Sequence, residues 1–154
     1  MSHVLDEYIS PLRLITDIVI SNKLSHKQVG GVPEAEQVEA IKGGVASWNQ
    51  WKAANPRKRP DLRGAHLTGL SLEGINLNGA RLAEVDFEFC NLKKANFAGA
   101  DLSRANLSNT DLTDAVFLNA NLQGARLTGA TVTRADFRGA NVAGADIRQI
   151  KRGL

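Results

Sequence analysis

An all-β solenoid is predicted for residues 60–150, a quadrilateral β-helix of about 4.5 coils, with an α-helical segment over 1–59 before it and a short tail, 151–154, after it. Three features of the sequence carry that expectation. A large apolar residue recurs at every fifth position from Leu62 to Ile147, eighteen times without exception. Two residues before it stands Ala in most repeats, and between the two lies a polar residue, most often Asp or Asn. Three of the four aromatic members of the apolar series, Phe97, Phe117 and Phe137, are spaced by twenty, under Leu77, and the fourth, Phe87, falls in another column.

A period of five fits neither a helix at 3.6 residues per turn nor a strand at two. In a triplet such as Ala100-Asp101-Leu102, extended backbone sends the outer side chains to one face and the middle one to the other. Ala and Leu then point inward and Asp outward. The next two residues, often ending in Gly as at Gly64, Gly99 and Gly124, suit a turn that needs positive φ, and the Asp or Asn can bond nearby backbone amides. A chain that turns after every short extended segment must coil.

Right-angle turns close a coil in four units, and coils stack at the strand spacing of ~4.8 Å. Closure by three would scatter Phe97, Phe117 and Phe137, whereas closure by four places them with Leu77 in one buried column, each ~5 Å from the next. One buried Leu contributes roughly 1.5–3 kcal/mol, less than the cost of ordering five residues at about 1–2 kcal/mol each. Stability must therefore come from stacking many coils. Leu70, Ile75, Val85, Cys90 and Thr110 replace the inward Ala, mostly in the first two coils, so the N-terminal end is expected to be the less regular.

Charge is balanced along the chain. Eight basic and six acidic residues lie before Pro60, eleven and ten from there on, so no half is a polyanion or polycation. The one dense basic run, Arg57-Lys58-Arg59 with Lys52 nearby, is read as a solvated linker, and direct nucleic-acid binding is not expected. A lone cysteine, Cys90, cannot form an intrachain disulfide, and no secretory signal or membrane span is evident, which makes a cytoplasmic setting the expectation. His3, His26 and His66 lie far apart without ligand spacing to Cys90, so no metal and no cofactor is expected. The many Asp residues follow the turn period, and a convex rod offers no cleft for catalysis, so the chain is not read as an enzyme.

Before the repeats, Pro11 suits a helix start and Leu12, Ile15, Ile18 and Val19 share a face, predicting a helix over about 11–24. Residues 26–32 read as a link. A second helix is predicted from Pro33 to near Asn55-Pro56, with Val38, Ile41, Val45, Trp48 and Trp51 on one side. Because a solenoid end exposes apolar interior and free ladder groups, Trp48 and Trp51 are expected to form an N-terminal cap.

The runs Ala100-Asp101-Leu102-Ser103-Arg104 and Ala105-Asn106-Leu107-Ser108-Asn109 resemble the pentapeptide-repeat family. The Trp48-Asn49-Gln50-Trp51 stretch before Pro60-Asp61-Leu62 is similar to the lead-in of many bacterial members. The resemblance implies a right-handed, four-sided β-helix, often joined end to end as a dimer. It also implies a range of roles that includes quinolone-resistance proteins, which imitate DNA and bind type II topoisomerases. Those have strongly acidic surfaces, whereas the repeats here are balanced in sign and uninterrupted.

Two readings of function follow. The first is a non-catalytic protein-interaction rod, its partner unknown, with apolar outward residues Val116 and Leu118 on one wall and Phe89 on another as the candidate partner surface. The alternative is a DNA-mimicking regulator of a topoisomerase, which would require an acidic stripe. At the far end the repeats stop after Ile147, and Val142, Ile147 and Ile150 are expected to join two copies through their C-terminal coils.

Overall fold

In a computed structural model of the protein, residues 33–153 are described. The helix expected over 11–24, its following link, and His3 and His26 lie outside the described residues.

From Asp61 onward the chain pairs with itself at a spacing of twenty. Parallel bridges run from Asp61–Arg81 to Thr131–Lys151, fifteen in unbroken sequence. Each joins the outward residue of one triplet to its equivalent in the next layer. The Leu62 amide donates to the Arg81 carbonyl at 2.9 Å, and the Arg81 amide to the Pro60 carbonyl at 2.9 Å. This is a β-solenoid whose walls are short parallel ladders. The Leu70, Ile75, Val85 and Cys90 substitutions do not disturb it, contrary to the expectation of an irregular start. The reason is that Ile75 and Val85 are fully enclosed in a core that accommodates them.

Two local interactions turn the chain at most corners. The amide after most corners bonds back three residues, as Ala65 N–H does to the Leu62 carbonyl at 3.0 Å, and the third turn residue takes a left-handed φ, 68° at Gly64. Where that corner is not Gly the same φ is imposed on a side-chain-bearing residue, 60° at Phe89 and 56° at Arg104. The outward Asp or Asn supplies the second interaction. Asn96 Oδ1 accepts the Ala98 amide at 2.9 Å, and Asp101 Oδ1 the Ser103 amide at 3.1 Å. The repeat uses Asp or Asn because only a short side chain with an acceptor oxygen reaches the amide two residues on.

The interior is the Leu and Ala lattice. Leu77, Phe97 and Phe117 are fully buried in one column, with the Phe97 and Phe117 rings stacked at 4.9 Å and Phe117 and Phe137 at 4.8 Å. Phe137 departs from expectation in one respect. It is only partly buried, because it lies in the last layer of its wall and has no ring beyond it.

The segment before the repeats forms two helices, α1 (Ala35–Lys42) and α2 (Val45–Ala54), rather than the single one expected. The break falls at Gly43-Gly44. Gly44 has φ of 91°, which a residue with a Cβ rarely adopts, and a Cβ on Gly43 would stand 2.7 Å from Ser47 Oγ. The glycine pair lets the chain double back, so that Ile41, Trp48 and Trp51 join the same core as the first coil.

Candidate functional site

Three polar contacts tie the helices and the linker after them to the first coil. Gln37, almost wholly buried, accepts the Asp61 amide on its Oε1 at 2.7 Å and donates through Nε2 to Glu34 at 2.9 Å. Trp48 Nε1 donates to the Asn76 carbonyl at 3.0 Å. Arg59 Nε donates to the Gly79 carbonyl at 2.6 Å. The Asp61 amide and Asn76 carbonyl are ladder groups that would bond a preceding layer, and side chains take that layer's place. Trp51 stacks on Trp48 with ring centroids 5.1 Å apart. The sequence reading missed Gln37. Its signal was a polar residue four positions before Ile41, on the helix face that is otherwise apolar.

The four walls differ in what they show to solvent, and each is named here for its first inward residue. The Leu62 wall carries Asp61, Arg63, Arg81, Glu84, Asp101 and Arg104. Burial pushes the Asp61 carboxyl up, but the Arg63 hydrogen bonds and the Arg63 and Arg81 charges outweigh it and hold the carboxyl below its ordinary range. The Leu72 wall pairs Arg134 with Asp114 at 2.7 Å and Lys93 with Asp111 at 3.5 Å. On the Leu67 wall Arg148 clasps Asp146 at 2.7 Å. Across these three walls most acidic groups pair with a basic neighbour in the same or the adjoining layer, whereas among the described residues Asp86 and Glu88 on the Leu67 wall and Asp101 on the Leu62 wall form no ion pair.

The Leu77 wall is different. Its outward residues from Asn76 to Asn119 are Asn76, Asn78, Asn96, Ala98, Val116 and Leu118, with Gly79, Gly99 and Asn119 at the corners, and none is charged. Leu118 is 37% exposed and Val116 half-buried beside it, so the two apolar candidates do share a wall. The charge that follows, Asp136, is already held by Arg138 at 2.6 Å. Phe89 stands apart at the corner of the Leu67 wall, 64% exposed.

At the far end the ladder extends to Lys151, past the expected stop at Ile147, since the Val132 amide donates to the Lys151 carbonyl at 2.7 Å. This register puts Arg152 at the place of an inward Leu, twenty after Val132. Arg152 lines a concave mouth with Phe137, Val142, Ile147 and Ile150. Val142 is 49% and Ile147 52% exposed, and Ile150 is half-buried.

Cys90 is buried with its thiol donating to the Leu67 carbonyl at 2.9 Å, and burial pushes its pKa up to about 11, so it stays a thiol. Among the described residues no group of His, Cys, Asp and Glu could hold a metal, and no helix is long and apolar enough to cross a membrane. His66 is exposed.

The family model for pentapeptide repeats matches residues 61–97, 80–117 and 117–151, in eight copies. No curated protein matches the chain. Among solved structures, the chain is similar to the pentapeptide repeat protein Rfr23 from the cyanobacterium Cyanothece 51142, at 27% identity over 63% of this chain and 67% of that one, with a TM-score of 0.42. It is also similar to HetL from the cyanobacterium Nostoc sp. strain PCC 7120, a pentapeptide repeat protein involved in heterocyst differentiation regulation. There identity is 28% over 60% of this chain, the match spans only 44% of HetL, and the TM-score is 0.37. A pentapeptide repeat protein of the Arabidopsis thaliana thylakoid lumen matches at 32% identity over 55% of this chain and 66% of that one, with a TM-score of 0.35. With the repeat matched over more than half of its length and every corner and ladder built from that repeat, the chain belongs to the pentapeptide-repeat family.

Proposed function

We propose that this protein is a non-catalytic interaction rod of the cytoplasm, in which about 4.5 right-handed coils, capped by α1 and α2, present the Leu77 wall to a protein partner. One observation carries the reading: the stretch from Asn76 to Asn119, three layers deep, is the longest run of outward positions among the described repeats without a charge, against two layers from Asn121 to Gly144 on the Leu62 wall, and it alone of the two exposes a large apolar side chain, Leu118. The cores of protein interfaces are depleted of charge because burying an ion costs far more than burying an amide or a methyl group. The layers and nearly all the corners are fixed by backbone hydrogen bonds, so binding orders little that is not already ordered.

Mimicry of DNA is the weaker reading. It needs a continuous anionic stripe, and on the other walls arginines and lysines are interleaved with the acidic residues and pair with most of them, leaving only Asp86, Glu88 and Asp101 without an ion pair among the described residues. A second copy is also part of the proposal, seated on the C-terminal coils, where Val142 and Ile147 are half exposed.

The wall is tested by affinity capture from extracts of the cells that make the protein, comparing the unmodified chain with Leu118→Glu and, on the opposite wall, Thr68→Glu. A partner of the Leu77 wall is retained by Thr68→Glu and lost by Leu118→Glu. Retention of every captured protein by Leu118→Glu overturns the assignment.

A further inference from the structure

At its N-terminal rim the Leu77 wall meets a basic collar. Lys52, Arg57, Lys58 and Arg59 line one groove with Asn78 and Gly79, in the first layer of that wall. The groove is well built. The Lys58 amide donates to the Asn55 carbonyl at 3.1 Å, Asn55 Nδ2 to the Trp51 carbonyl at 2.9 Å, and Arg59 is pinned on the Gly79 carbonyl.

These cations are treated differently from the rest. Eight of the eleven arginines and lysines beyond Pro60 are paired with a carboxylate. In the collar only Lys58 is, to Glu36 at 3.8 Å, and the other Glu36 oxygen accepts Trp51 Nε1 at 3.1 Å. Among the described residues, Lys52, Arg57 and Arg59 have no carboxylate within ion-pair distance. The C-terminal dipole of α2 accounts for Lys52 in its last turn, but that field fades within a turn and does not call for Arg57 or Arg59.

We infer that the collar receives carboxylates of the partner segment whose apolar side chains rest on Val116 and Leu118, an inference that rests on the reading of the Leu77 wall. The two features share one wall, and the collar supplies the opposite charge that the wall lacks. The distance sets the partner's pattern. Leu118 lies two layers beyond Asn78, about 10 Å at the strand spacing, which is roughly three residues of extended chain. The partner therefore carries a short acidic cluster and an apolar anchor about three residues away. A nucleic acid fits less well. Its affinity comes from phosphates met along its length, and past the collar this wall offers Asn, Ala, Val and Leu until Arg138.

The test pans short random peptides displayed on phage against the full chain and then measures binding of the enriched peptides to three proteins: the unmodified chain, Leu118→Glu, and Lys52→Glu with Arg57→Glu. All substituted positions are at least partly exposed, and circular dichroism checks that each variant keeps its fold. The expected peptides pair an acidic cluster with an apolar residue at that spacing. Their binding falls about tenfold in both variants and weakens with salt only where the collar is intact. Peptides that need Leu118 but are acid-free, and indifferent to the collar variant, overturn the collar while sparing the wall. Peptides indifferent to Leu118→Glu overturn the wall itself. Single-stranded DNA or anionic vesicles bound as tightly as the peptides, and released by the collar variant, would reassign the collar to phosphates.

Discussion

The two ends of the rod meet the same problem and handle it in opposite ways. Stacked coils leave a last layer of inward side chains and unpaired ladder groups at each end. At the start, Trp48 and Ile41 cover the first layer and are wholly buried, and Gln37 and Trp48 replace missing backbone partners. At the other end, Val142 and Ile147 are half exposed, Phe137 has lost part of its cover, and Arg152 occupies a place that a Leu fills elsewhere. The difference shows that the repeat stabilises its middle but not its ends. An end is finished only by sequence outside the repeat, or by another molecule.

The sharpest break of this comparison is a pair of substitutions. Trp48→Ala removes a fully buried ring and a hydrogen bond, and should lower stability by about 3–5 kcal/mol in urea unfolding followed by circular dichroism. Ile147→Ala, half exposed, should cost well under half of that. Ile147→Lys should leave the fold intact but abolish self-association in light scattering. A monomer for the unmodified protein at high micromolar concentration removes the second copy from the proposal.

A smaller effect isolates the polar part of the N-terminal contact. Gln37→Leu keeps the bulk but strips the acceptor from the Asp61 amide, and should cost about 1–3 kcal/mol, the price of an unsatisfied buried donor. Hydrogen exchange should quicken at Asp61 and at neighbouring amides of the first coil while those near Phe117 stay protected. Uniform quickening would mean that the rod opens as one unit.

Much of this architecture was legible in the sequence. Phe97, Phe117 and Phe137 at a spacing of twenty give the coil length, and the Asp or Asn at most outward positions gives the turn, because both recur and both have a single geometric meaning. What escaped was whatever occurs once. Gly43-Gly44 breaks a helix whose apolar face continues on either side of it, so periodicity alone runs through the break. Gln37 bonds a backbone amide 24 positions away, which no local pattern signals. Arg152 falls in register with Val132, yet its charge disguises an inward place. Of the candidate surface, Val116 and Leu118 were visible as departures from the repeat. The uncharged character of their wall emerged only when residues twenty apart were stacked.

The smallest expected effect concerns acid and salt, and again contrasts the two ends. Asp61, in the first coil, is largely shielded, its side chain 17% exposed, and Arg63 and Arg81 approach it from two layers. Asp136, near the other end, is itself 26% exposed, and its partner Arg138 has a side chain 81% exposed against 35% for Arg63 and 49% for Arg81. The Arg138 hydrogen bonds carry the Asp136 carboxyl down to about 2, and Asp61 is also lowered from the ordinary 3.8. A carboxyl lowered by folding stabilises the native state above its unfolded value and ceases to do so as pH falls through its folded value. Thermal stability should therefore decline from about pH 4 downward, with the Asp136 share fully lost only below about 2. Salt should separate the two groups, because exposed pairs are screened and shielded ones much less. In carboxyl NMR titrations, raising the salt should return Asp136 toward 3.8 while Asp61 moves less. Equal movement of the two would show that the first coil is as open to water as the last, and that α1 and α2 do not close their end of the rod.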